Sequence, residues 1–428
     1  MKSLALILVM IVSATLAAQA APGPVALQCG QLLNVRSGEI LNNALVLVEG
    51  ERIREVGPAS SVAVPSAAMS IDLSRSTCLP GLIDVHTHLT MEPTNFGYKS
   101  LGVSIPRATV YGVKNARHTL LAGFTTVRNL AADGYADVAL RDGIHAGEID
   151  GPRMLVSGPA LGITGGHCDN NLLPPEFHFV SPGIADGPWP ARAKVREVVK
   201  YGADVIKICA SGGVLSKGDL PGTPQYTPEE MRAVVEEAGK LGRKVAAHAH
   251  GAQSIKDAIR AGIDSVEHNS LIDEEGIRLA VERGTFLIFD LYDGEFILKE
   301  GLKVGMLPES IEKQRQILQQ QQENLGRAYR AKARIAFGTD AGVYPHGDNA
   351  REFLYLVKYG MKPLDAIRAA TTNAAELLGW SDRVGSLEAG YFADVIAVQG
   401  NPLEDVSALQ KVNFVMKGGR VFKNEPGR

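Results

Sequence analysis

His86-Thr87-His88 follows the apolar run Leu82-Ile83-Asp84-Val85. Residues two apart on an extended strand point the same way, so these two imidazoles can share one ion. Alone, such a pair is a weak sign of a metal site. Lys207 lies inside Asp204-Val205-Ile206-Lys207-Ile208-Cys209-Ala210, where an unpaired ammonium would be costly to bury. Either a carboxylate pairs with it, or it is a neutral amine able to take up carbon dioxide and become an anionic carbamate that bridges two cations. His248 ends the run Lys244-Val245-Ala246-Ala247-His248, and His268 ends Asp264-Ser265-Val266-Glu267-His268. Neutral imidazole suits borderline metals such as zinc. Asp340 follows Ile335-Ala336-Phe337-Gly338-Thr339, where its plainer role would be to cap the next helix. Six unrelated structural reasons would be needed to explain these positions otherwise.

The elements that must carry them alternate between short apolar runs and helix-length amphipathic segments, the pattern of parallel strands buried on both faces. About eight such units occur, with strands over Leu82-Val85, Thr125-Leu130, Arg153-Ser157, Asp204-Ala210, Lys244-His248, Asp264-His268, Thr285-Leu291 and Arg334-Thr339. An α/β fold with a (β/α)8 TIM barrel over residues 80–384 follows, and in such a barrel the C-terminal strand ends converge on one mouth. The six residues fall at the ends of strands one, four, five, six and eight. Thr227-Pro228-Glu229-Glu230 predicts a capped helix running to about Gly242. Gln319 to Gln322 reads as a solvated helix face.

Short β-prone runs at both ends, residues 21–79 and 385–428, predict one small β-sandwich domain. Lys2, the apolar run Leu4 to Val12 and Ala18-Gln19-Ala20 read as a signal peptide over residues 1–20, so the chain is expected to be exported, periplasmic or secreted. That run is too short to span a bilayer, and no membrane association is expected after cleavage. The 428 residues are 45% hydrophobic, enough for a large core, and the formal charge of -3 with no basic stripe argues against nucleic acid. Cys29, Cys78, Cys168 and Cys209 are few and lack CxxC spacing, so neither a disulfide nor a thiolate metal site is expected.

The combination of an HxH pair, a strand-four lysine, two successive strand-end histidines and a final aspartate resembles the binuclear amidohydrolase superfamily, over almost the whole mature chain. Thr164-Gly165-Gly166-His167, Lys207-Ile208-Cys209-Ala210-Ser211-Gly212-Gly213, His248-Ala249-His250-Gly251 and Phe337-Gly338-Thr339-Asp340-Ala341-Gly342 are similar to its branch of Xaa-Pro dipeptidases, related carboxypeptidases and ochratoxin-type amidases. The resemblance implies two divalent metal ions, with zinc favoured. His86, His88 and Asp340 would hold the more buried one, His248 and His268 the other, and carbamylated Lys207 would bridge them. His250 competes with His248; the family pattern takes the first, leaving His250 to face substrate. It also implies a homo-oligomer.

Ions sharing a hydroxide would attack an amide carbonyl without a Ser or Cys nucleophile. Asp340 would take the proton of the attacking water and return it to the leaving nitrogen. The expected reaction releases a C-terminal amino acid from a dipeptide or N-acyl amino acid. Hydrolysis of a cyclic amide or lactone, as in imidazolonepropionase- and hydantoinase-type relatives, is the alternative, and a non-catalytic metal-binding barrel is a third reading. His167 either contacts substrate or is a loop histidine. Tyr226 either bonds the substrate or staples its helix by packing on Met231. Arg128 reads as a structural cation beneath the site, and Asn129 stands where the resemblance would place an aspartate.

Overall fold

The computed structural model describes residues 23–425, so the expected signal peptide lies outside the described residues. Both ends of the described residues enter one seven-stranded sheet. It comprises β1 (Val25–Leu33), β2 (Ile40–Glu49), β3 (Arg52–Pro58), β4 (Met69–Pro80) and the late strands Val395–Gln399, Val412–Lys417 and Arg420–Asn424. Alternation places Val25, Leu27 and Cys29 in a core with Val395, Ala397 and Phe414, while Ala26 packs on the opposite face. The pairing links all seven strands in one sheet.

Eight parallel strands lie between these ends: β5 (Leu82–Thr87), β6 (Phe124–Asn129), β7 (Arg153–Val156), β8 (Val205–Cys209), β9 (Lys244–Ala249), β10 (Ser265–His268), β11 (Phe286–Ile288) and β12 (Arg334–Ile335). Each overlaps an apolar run read from the sequence. Every residue of β5, β6 and β8 is buried, as parallel strands covered on both faces must be. They pair as a three-stranded sheet, β5-β6-β7, and a five-stranded sheet, β12-β11-β10-β9-β8. Individual backbone bonds link the edges at both junctions. Val85 N donates to Phe337 O at 2.9 Å on one side, and Asp204 N to Val156 O at 2.7 Å on the other.

The helix Pro228–Lys240 starts as expected, with Thr227 and Glu230 exchanging side-chain and backbone hydrogen bonds. Two expectations are corrected. The cysteines form two disulfides, Cys29–Cys78 and Cys168–Cys209, with Cα–Cα separations of 5.9 and 6.0 Å. Parallel pairing of β1 with β4 creates the first. The second forms because the loop after β7 folds over the end of β8, where Cys209 N donates to Leu161 O at 2.8 Å. Such pairings arise from topology, to which sparse cysteines without a spacing pattern are blind. The glutamine tract is only half solvated: Gln321 and Gln322 are buried, and Gln321 Nε2 donates to Phe289 O at 2.7 Å. A primary amide can enter a core when it satisfies strand-end carbonyls.

Candidate active site

The end of β12 is laced to the end of β5. Asp340 N donates to His86 O at 2.9 Å and His88 N to Ala341 O at 2.7 Å. Gly338 and Gly342 permit this approach, because a Cβ would sit 2.9 Å from His86 Cβ at the first and 2.8 Å from His88 Cβ at the second. The lacing carries the Asp340 carboxylate to 2.9 Å from His88 Nε2 and 3.5 Å from His86 Nε2. Asp340, His268 and Asp290 adopt φ values of 55°, 73° and 29°, a left-handed backbone unfavourable for L side chains. Strain of this kind, roughly 1–3 kcal/mol each, persists where the surrounding fold aims a side chain.

A second imidazole cluster adjoins the first. His248, His250 and His268 have ring centroids 4.5 to 4.7 Å apart, and the His268 ring lies 5.1 Å from that of His86. His250 Nδ1 faces Ser270 Oγ at 2.8 Å, and His248 Nε2 faces the Gly212 carbonyl at 3.2 Å. A carbonyl only accepts, so Nε2 of His248 carries hydrogen and Nδ1 keeps a lone pair. Both candidate strand-five ligands therefore reach His268. Burial lowers His86 and His268 to about 4, keeping both neutral and able to ligate at physiological pH.

Lys207 projects from β8 and is 4% exposed. Its ammonium has no hydrogen bond or direct ion pair among the described residues, so any carboxylate acting on it does so through space. Burial pulls it below the ordinary lysine range, against the opposing charges of Glu267, Asp340 and Asp290. Glu267 is engaged instead by Arg128, whose Nη2 lies 2.9 Å from Oε1 while Nε donates to Val85 O at 2.6 Å. Burial alone would raise Glu267, but the Arg128 charge and the His86 contact hold it well below the carboxylate range. Arg128→Met should leave Glu267 buried and uncompensated, at a cost of about 3 kcal/mol. Chemical denaturation would measure this, and an unchanged unfolding midpoint would contradict the pairing.

His167 stacks on His248 with centroids 4.0 Å apart, so the loop after β7 delivers it to the cluster. Gly213 makes room for it, since a methyl group there would fall on the His167 ring. Gly213→Ala should therefore displace His167 and lower kcat/KM about 10²-fold, the scale of an ångström-sized misplacement. Parental kcat/KM in that variant would show His167 to be a bystander. Tyr226 is not brought to the cluster. It is buried, with its hydroxyl between the Gly162 and Ala185 carbonyls at 3.2 and 3.1 Å, so it ties two loops together.

The amidohydrolase family profile matches residues 77–422. The chain belongs to the amidohydrolase family. It is 36% identical over 420 residues to ochratoxinase of Aspergillus niger, covering 92% of this chain and 86% of that one. A crystal structure of a Xaa-Pro dipeptidase with methionine bound in its active site superposes with a TM-score of 0.89 at 36% identity, covering 94% of this chain and all of that one. A prolidase complexed with N-methylphosphonate-L-proline gives 0.87 at 33% identity, over 94% and 100% of the two chains. This amidohydrolase is accordingly a hydrolase of amide bonds.

The residues of this amidohydrolase fit a metal centre. His86, His88 and Asp340 form one group with ligand atoms within 4.8 Å of one another, and His248, His250 and His268 form another. His88 Nδ1 and Asp290 Oδ1 are buried with no hydrogen-bond partner among the described residues. Sequence reading missed Asp290, which takes the Nδ1 side of His268 and leaves Nε2 for an ion. Its signal was present: Phe286-Leu287-Ile288-Phe289-Asp290 repeats the apolar run ending in a carboxylate that marked Asp340.

Proposed function

We propose that the chain is an exported, binuclear metal-dependent amidohydrolase on a (β/α)8 barrel, releasing a C-terminal amino acid from dipeptides or N-acyl amino acids. The observation that carries this reading is the place of Lys207: buried, without an ionic partner among the described residues, and acted on by Asp340 and by the carboxylates beside the histidine clusters. A carbamate on Lys207 would give it an anionic bridging role, with His86, His88 and Asp340 on one side and His248 and His268 on the other. Divalent ions held there would acidify water and polarise a carbonyl. Asp340 is the buried base: burial would raise it, but His86 and His88 hold it below the ordinary range, so it is ionised at neutral pH. It can take a proton from water and pass it to the leaving nitrogen. His167, stacked on His248, would contact the substrate.

The related dipeptidase with methionine and the related prolidase with a proline phosphonate support an amino-acid leaving group. A mass-spectrometric screen of dipeptides and N-acyl amino acids tests the reading. Chelator-treated protein should be inactive and zinc should restore cleavage. Cleavage that survives metal removal, or a zinc-loaded protein inert towards every amide, would overturn it.

A further inference from the structure

A partly buried polar network, with the buried Lys313 at its root, converges on His167 from segments that neither ligand cluster uses. Lys313, in the helix Pro308–Arg330, gives its three hydrogens to Asp219 Oδ1 at 3.0 Å and to the carbonyls of Ser216 and Gly213 at 2.6 and 3.2 Å. Asp219 also accepts from Ser216 Oγ at 2.6 Å, Gln225 Nε2 at 3.0 Å and Gly213 N at 3.2 Å, so both oxygens are occupied by donors, as an ionised carboxylate requires. Gln225 Oε1 in turn receives the His167 backbone N–H at 2.9 Å. One partly buried acid therefore governs both the main chain and the ring of His167.

The ring follows from counting hydrogens. Ser216 has one hydroxyl hydrogen, and the oxygens it addresses, Asp219 Oδ1 and the Gly213 carbonyl at 3.3 Å, only accept. The 2.9 Å contact between Ser216 Oγ and His167 Nδ1 then forms only if Nδ1 is the donor. Nε2 makes no hydrogen bond among the described residues, and no carboxylate there pairs with the ring to hold a second hydrogen, which leaves the neutral Nδ1–H form.

We propose that Ser216, Asp219 and Lys313 are positioning residues that hold His167 as its Nδ1–H tautomer, so that Nε2 meets the substrate as a hydrogen-bond acceptor. The group it reads is an N–H or O–H, such as a substrate amino or amide hydrogen, and not a carboxylate. That substrate assignment rests on the amide-hydrolase reading above; the tautomer does not.

The test uses full-length, zinc-loaded protein labelled with 15N-histidine and long-range 1H–15N correlation spectra, with His167 assigned from the signals lost in His167→Asn. The expected spectrum has hydrogen on Nδ1 and a bare Nε2. In Asp219→Asn the amide can donate to Ser216, whose hydroxyl then turns to Nδ1, so the ring hydrogen should move to Nε2. kcat/KM should fall about 10- to 100-fold, the usual scale for losing an orienting partner. Lys313→Arg keeps the charge beside Asp219 and should keep the parental tautomer. Hydrogen on Nε2 in the parent, or a tautomer unmoved in Asp219→Asn, overturns the network's role. A moved tautomer with parental kcat/KM overturns the substrate contact. If Asp219→Asn fails to fold, the parental spectrum decides alone. Because the spectra need no turnover, a protein inert towards all amides would count against the enzymatic reading and leave the tautomer standing.

Discussion

Asp340→Asn should lower kcat by roughly 10³-fold, within the range that a positioned acid or base contributes, while the protein stays folded and keeps most of its metal. The substitution preserves size and removes the capacity to accept and return a proton. Folding should survive because the features that place residue 340 are not in its carboxylate. They are its backbone N–H on the His86 carbonyl, the glycines on either side and the left-handed φ of 55°. Asparagine tolerates that conformation well. The amide oxygen can still face His86 and His88, so most metal should remain. Circular dichroism, metal analysis and initial rates together check the result. Near-parental kcat with metal bound would sink the role of Asp340 as proton shuttle.

What was legible in the sequence follows from burial. A strand covered on both faces is a mainly apolar run, so β5, β8 and β9 stood out, and a polar residue within or just after such a run had to be explained. That single rule located His86, Lys207, His248 and Asp340, and applied evenly it would have found Asp290. It could not reveal what depends on which segments meet in space. The disulfides join cysteines 49 and 41 residues apart. Gln321 is buried because β10 and β11 end in carbonyls that need a donor, although its sequence neighbourhood reads as solvent-facing. Tyr226 precedes a helix start as a substrate residue might, yet its hydroxyl is taken by loops near residues 162 and 185.

Glycines show the same division. Gly213, Gly338 and Gly342 belong to segments that carried the family resemblance, but only the packed structure says what each is for. The first clears a site for the His167 ring, and the other two let the segment after β12 lie against His86 and His88. The motif is thus as much a record of close approach as of chemistry. Arg128 is a similar case: a cation in an apolar strand becomes intelligible once Glu267 and the Val85 carbonyl are beside it.

Lys207→Ala should reduce turnover by about 10³-fold, since losing the several kcal/mol of charge stabilisation that metal ions provide corresponds to that factor. The variant removes a side chain that, as a neutral amine, can acquire a carboxylate and join the two ligand groups. It should therefore lose metal as well as activity. A short carboxylic acid such as acetate, small enough to occupy the space vacated by the lysine, should restore part of both. Parental protein prepared in 13C-bicarbonate should show a carbamate carbon signal that the variant lacks, a readout independent of catalysis. The alternative is that Lys207 acts as a plain cation among Glu267, Asp340 and Asp290, which also act on it through space. In that case alanine would leave those acids less compensated, an added carboxylate would worsen the imbalance, and no carbamate would be seen. The sign of the response to acetate thus separates an anionic bridge from a buried cation.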